Sequence, residues 1–256
     1  MQLMEQRNYP IAHSFHVAVM AELLAIRAGW PLQKREVLSC AALTMNVAMV
    51  DLQLNLRNQR EGLTTTQRAA VEDHPAAAAR LLMQCGVVDN EWLRAVLEHH
   101  ETPDGAGYPR HIRDPGEAGL LLRACDVFTA KISPRAYRKS VNAGEATRIM
   151  FVKLGQNTAD PFPAMLVKEV GIYPPGTLVK LASNEVGVVF KRGATAKTPS
   201  VIVLLTAKGR PLGEPEQRDT ADAAYAIVST LSLDKSLVAI DFEHIWCGKR
   251  RAASVA

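Results

Sequence analysis

Two adjacent histidines, His99 and His100, open the string HHETPDGAGYP at 99–109. Imidazoles are common metal ligands, and several together suit a divalent transition ion that activates water. Neighbouring helical residues point ~100° apart, so two adjacent histidines reach one ion only near a helix end. Pro103 supplies that end by disfavouring helix at Thr102, while Asp104-Gly105 and Gly107 turn the chain. As a bare dipeptide, His-His also reads as a solvated helix terminus. His74 precedes Pro75, which places it at the cap of a helix opened by that proline, its ring free to project or to face water. Asp126 has Gly119, Leu122 and Ala130 as same-face neighbours on a helix. A carboxylate on so apolar a surface needs a metal or a histidine as partner. His13 and His16, three apart on one helix face, are a weak metal pair or simply surface residues.

Helical spacing of apolar residues predicts a helix over 13–28, closed by Gly29, and further helices over 36–50, 65–73, 75–85, 90–101 and 117–132. The texture changes at 160–175, where DPFP and YPPG are turn-rich. Runs rich in Val and Leu at 177–182 and 185–191 flank Ser183-Asn184 as a β-hairpin, and 200–206 and 236–243 read as two more strands. The expected fold class is mainly α: a helical domain over 1–160, a small β-rich domain over 161–248, and a disordered tail at 249–256.

Bulk composition narrows the function classes. With 48% apolar and 22% charged residues the chain is ordinary globular material. No uninterrupted apolar run approaches 18 residues, so no membrane span is expected. The N-terminus lacks a charged-then-apolar leader pattern, and the four cysteines stand far apart without CxxC spacing, which together suggest a reducing cytoplasm. A net charge of +4 with no basic run makes nucleic acid an unfavoured partner.

The string at 99–109 matches, at every fixed position, the signature of the HD-GYP family of cyclic di-GMP phosphodiesterases: two His, Glu, two variable residues, Asp-Gly, one variable residue, Gly-Tyr-Pro. The resemblance continues in register. His13 in HSFHVA resembles the family's first metal histidine, His74 in EDHP its third, and Asp126 in LLLRACDVFTA its last acidic ligand. SPRAYR at 133–138 is similar to the family's SPRPYR element, and GIYPPGTLVKLASNEVGVV resembles an extension that often follows these domains. The resemblance implies an HD-type all-helical domain, metal ligation by His13, His74, His99, His100 and Asp126, and phosphate contacts from Arg135 and Arg138. The bland alternative is that Lys131, Arg135, Arg138 and Lys139 form a solvated basic face. In relatives the loop of Gly107, Tyr108 and Pro109 is implicated in contacts with diguanylate cyclase domains; packing over the helix ends is its structural alternative.

One departure is central. Where the family carries His-Asp followed by Ile, Gly and Lys, this chain has Met45-Asn46-Val47-Ala48-Met49. In the family the histidine binds one metal, the aspartate bridges two and the lysine holds phosphate. Two dications ~4 Å apart repel by roughly 16 kcal/mol at an effective dielectric of ~20, and a bridging carboxylate helps offset this. Asn46 is neutral, and Met45 is a soft thioether ill suited to ions that activate water. A paired centre is therefore not expected, and Tyr9, at the position of an additional acidic ligand in many relatives, excludes a third ion. Thr129 stands in place of a usual aspartate. What survives is His74, His99 and His100, a ligand set for one divalent transition metal (Fe, Mn or Zn) or for none, with His13 and Asp126 as a two-ligand remnant. The expected function is a cyclic di-GMP signalling protein with impaired catalysis, acting by binding the nucleotide or a partner protein. The alternative is an active metal-dependent phosphodiesterase with a reduced centre.

Overall fold

The structure is a computed structural model describing residues 9–56, 59, 61–132, 143–153 and 159–231. Arg135, Arg138, the expected strand at 236–243 and the tail at 249–256 lie outside the described residues. The chain forms two compact units, one of residues 1–141 and 149–169, the other of 142–148 and 170–256.

The first unit is helical: α1 (Tyr9–Arg27), α2 (Leu32–Thr44), α3 (Val50–Leu56), α4 (Thr65–Gln84), α5 (Asn90–Glu98) and α6 (Glu117–Ile132), with α7 (Ala143–Lys153) spanning the division and α8 (Phe162–Val170) after it. Apolar side chains set the packing. Val17 and Leu24 of α1, Leu38 of α2, Val96 of α5 and Leu121, Leu122 and Phe128 of α6 are buried together with small residues such as Ala41, Ala78, Ala95 and Ala124. The alanines let helix axes approach closely. α1 packs on α2 and α6, and α5 packs on α2, α4 and α6, so the helices that carry the candidate ligands converge.

Three helix expectations are corrected. The segments 65–73 and 75–85 form one helix, because a capping box starts α4 firmly: Gln67 N–H donates to Thr64 Oγ1, and Thr64 N–H to Gln67 Oε1. His74 is therefore buried inside α4, not at a cap. The expected helix over 36–50 stops at Thr44, whose hydroxyl turns back onto the Cys40 carbonyl at 2.7 Å. A short 3-10 turn, Val47–Met49, and α3 follow. The expected helix over 90–101 ends at Glu98, leaving His99 as its C-terminal cap.

By length and composition, the stretches Tyr9–Arg27 and Leu32–Leu56 are apolar enough to cross a membrane, a measure that a buried core helix also meets. The second is interrupted at residues 45–49, and both contribute buried residues to the helical core. The apolar excess of α1 lies on its outer face, where Ile11, Phe15, Val19, Leu23 and Ile26 are exposed.

The second unit contains an antiparallel sheet in the order β4-β3-β2-β1-β5, built from β1 (Leu178–Leu181), β2 (Val186–Lys191), β3 (Ser200–Leu205), β4 (Pro211–Asp219) and β5 (Ile227–Leu231). The β1–β2 hairpin turns at Ser183-Asn184 as the sequence predicts, with Asn184 in the left-handed region at φ 67°. Alternation puts Leu178, Val188, Ile202 and Leu204 in one apolar cluster and Val179, Leu181, Val189 and Val201 in another.

Candidate metal centre

α4 and α5 bring His74, His99 and His100 together, with one ligand atom from each within 4.8 Å of the others. Two of the rings are aimed by backbone carbonyls. His74 Nδ1 lies 2.6 Å from the Val71 carbonyl and His99 Nδ1 lies 2.6 Å from that of Val96. A carbonyl only accepts, so each Nδ1 carries the proton and each Nε2 presents a lone pair. These two Nε2 atoms face each other at 3.1 Å. Two lone pairs at that distance make no hydrogen bond. Two nitrogens ~2.05 Å from one tetrahedral ion stand ~3.3 Å apart, so the pair is spaced as ligands of a shared cation. The residues present fit a divalent transition metal.

Burial keeps these rings neutral. It lowers the pKa of His74, opposed by the Val71 hydrogen bond and Asp126, and holds His99 well below the ordinary histidine value. His100 falls to about 4, again chiefly through burial, with Asp126 opposing. Neutral imidazole is the metal-binding form. Tyr108 stacks on His100 with ring centroids 4.6 Å apart, and burial raises its phenol pKa. Its ring thus walls the site.

Two buried carboxylates tie the loop after His100 to α5. Glu101 is fully buried and accepts the backbone N–H groups of Arg110 at 2.6 Å and Ile112 at 3.2 Å. Glu98 accepts Gly116 N–H at 2.7 Å, Arg110 Nη2 at 2.6 Å and Arg94 Nε at 3.1 Å. Charge-assisted bonds of this kind fix a loop firmly. Within the turn, Asp104 accepts from Ala106 N–H and from the Thr102 hydroxyl. Gly107 is buried so tightly that a Cβ there would lie 2.4 Å from Glu101 Cα and 2.5 Å from the His100 carbonyl oxygen.

His13 and Asp126 meet each other. His13 Nε2–H donates to Asp126 Oδ1 at 2.7 Å, with both side chains nearly buried. Burial alone would raise the Asp126 pKa, but the His13 hydrogen bond and charge hold it well below the carboxylate range. On the other ring nitrogen, Tyr9 Oη lies 3.4 Å from His13 Nδ1. His16 is half-buried and forms no part of the three-histidine cluster. Met45 is completely buried and Asn46 nearly so, and the 3-10 turn after them packs on α4, the helix of His74. Met49 is partly buried in that turn.

Several supporting residues escaped the sequence reading. Glu98, Glu101 and Arg110 carry the loop, although Glu101 is a fixed residue of the signature. Arg123, one turn before Asp126, pairs with buried Asp160 at 3.3 Å. Its signal was a lone arginine in an otherwise apolar LLLRAC run.

The sequence profile of the HD domain family matches residues 2–161. The chain is 34% identical over 207 residues to cyclic di-GMP phosphodiesterase PA4108 of Pseudomonas aeruginosa, covering 79% of this chain and 50% of that protein. It is 22% identical over 213 residues to cyclic di-GMP phosphodiesterase PdeB of Borreliella burgdorferi, covering 82% and 56%. It therefore spans about half the length of these relatives. Among solved structures it resembles Bd1817, an HDG"Y"P protein from Bdellovibrio bacteriovorus, with a TM-score of 0.53, 19% identity and coverage of 65% and 53% of the two chains. The string HHETPDGAGYP at 99–109 and Met45-Asn46 both fall within the matched residues, and on that match the chain belongs to the HD domain family.

Proposed function

We propose that this chain is a cyclic di-GMP signalling protein of impaired catalysis that acts by binding the nucleotide or a partner protein. One observation carries the reading: the three histidines are assembled, while Met45 and Asn46 fill the place of the pair and His13 is hydrogen-bonded to Asp126. A divalent ion on His74, His99 and His100 would supply Lewis-acid chemistry to a phosphodiester. The protein's own part is to present three neutral imidazoles, keep Tyr108 against them and hold the loop through Glu98 and Glu101. Neither Met45 nor Asn46 provides the anionic bridge that a second ion needs. Arg135 and Arg138 are the proposed phosphate contacts, since guanidinium forks match phosphate oxygens. The loop of Gly107, Tyr108 and Pro109 is the proposed contact for a diguanylate cyclase domain, with the part-exposed Tyr108 and Pro109 presented to the partner and buried Gly107 holding the backbone path. A cytoplasmic setting is proposed from the wide spacing of the four cysteines, which form no CxxC pair.

A second reading, a phosphodiesterase working with one ion, is favoured by the intact histidine cluster. Turnover separates the two. The unmodified protein is expected to hydrolyse cyclic di-GMP negligibly with added iron, manganese or zinc. Met45→His, Asn46→Asp and Met49→Lys together should raise turnover, whereas each alone should do little, because ligation, bridging and phosphate contact act as a unit. Robust turnover by the unmodified protein, lost in His99→Ala, would establish the second reading. Capture of a diguanylate cyclase domain without nucleotide binding would place the role in the partner contact.

A further inference from the structure

Pro75 sits inside α4, where proline ordinarily weakens a helix. In an α-helix the carbonyl of residue i is claimed by the N–H of residue i+4. For Val71 that partner is residue 75, which as proline has no N–H. The freed carbonyl accepts His74 Nδ1–H at 2.6 Å. His99 shows the same arrangement made differently: Val96 lies in the last turn of α5, where carbonyls lack helical partners, and it accepts His99 Nδ1–H at 2.6 Å. Both rings consequently aim Nε2 at one point, 3.1 Å apart.

We infer that Pro75 is a positioning residue for metal binding: by withholding an amide proton it leaves the Val71 carbonyl to fix the tautomer and orientation of His74. Hydrogen bonds from the non-ligating nitrogen orient metal-binding histidines generally, and losing one typically lowers metal affinity ~10–100-fold. Here the orienting acceptor is left without a competing helical N–H by the residue that follows the ligand. The inference rests on the three-histidine metal site proposed above.

The test is Pro75→Ala, which restores an N–H at residue 75 and improves helix propensity, so the fold should be kept. Zinc titration against a competing chelator is expected to show affinity at least ~10-fold weaker than wild type, with no fall in melting temperature. Histidine 15N spectra of the metal-free protein should show His74 as the Nδ1–H form in wild type and as a mixture with the Nε2–H form in the variant. His99 should be unchanged, because its Val96 partner is untouched. An ester variant with lactic acid in place of Pro75 lacks both ring and N–H, and it should keep the wild-type tautomer and affinity. Zinc affinity and a His74 tautomer in Pro75→Ala equal to wild type would overturn the inference. So would an ester variant as weak as Pro75→Ala, since the ring itself would then be responsible. If the wild type binds no zinc, the metal-site reading fails, while the metal-free spectra still decide what Pro75 does to His74.

Discussion

Gly107→Ala is expected to destabilise the helical unit by roughly 3 kcal/mol or more, at the upper end of overpacking effects. The added methyl would run into the His100–Thr102 backbone: Glu101 Cα at 2.4 Å, and the His100 carbonyl oxygen and Thr102 nitrogen at 2.5 Å. No side-chain rotation relieves such a contact. The loop or the end of α5 must move, and both carry the site. Gly105 makes a sharp comparison. Its φ of +75° strains any L-residue, but the nearest atom to a Cβ there is the flexible Arg113 side chain at 3.1 Å. Gly105→Ala should therefore cost only about 1 kcal/mol. Urea denaturation of both variants measures the difference. A Gly107→Ala protein as stable as wild type would mean that the loop does not pack on the His100–Thr102 backbone as described.

Acidification should weaken the metal-free protein between about pH 6.5 and pH 4. An exposed histidine in the unfolded chain has a pKa near 6.5, whereas burial lowers that of His100 to about 4. Between those values the unfolded chain binds a proton that the folded state refuses, so stability is full above pH 6.5 and falls with pH. The slope is ~1.4 kcal/mol per pH unit for each such histidine, so His100 alone contributes roughly 3 kcal/mol across its window. His74 and His99 are shifted the same way by burial and add to the loss. Asp126, held low by His13, begins to lose its contribution once pH falls to the ordinary carboxylate value near ~3.9, below the histidine window. Urea midpoints of chelator-treated protein at pH 7 and pH 4.5 report the effect, and His100→Asn should flatten it. Equal stability at the two pH values would show that the histidines are open to solvent.

How much of this was legible depended on whether the cause was local. α6 was readable to the residue, because Glu117–Ile132 is an uninterrupted helical pattern. The β1–β2 hairpin and β3 were legible from Val-rich runs around a turn pair. Among the described residues, the two strands not foreseen, β4 and β5, stand at the two ends of the strand order. Edges tolerate proline and polar residues, and PLGEPEQRD accordingly reads as a loop. At the site, residue types were legible and their relations were not. The signature marked His99, His100 and Gly107, but the steric need for glycine depends on how the chain folds back over Glu101. Pro75 misled, because a proline after a histidine suggests a helix start; the capping box at Thr64 outweighs it. That His13 would take Asp126 as its partner, 113 residues away, depends on α1 packing against α6, which no local pattern announces.

Elemental analysis of the purified protein, after loading with zinc, manganese or iron and removal of excess, is expected to give at most one transition-metal ion per chain. His99→Ala should abolish that binding, because His99 Nε2 faces His74 Nε2 at the centre of the cluster. A reproducible content of two or more ions per chain would contradict a reduced centre. It would mean that His13 and Asp126 release each other to ligate metal and that a second ion binds without the His-Asp pair.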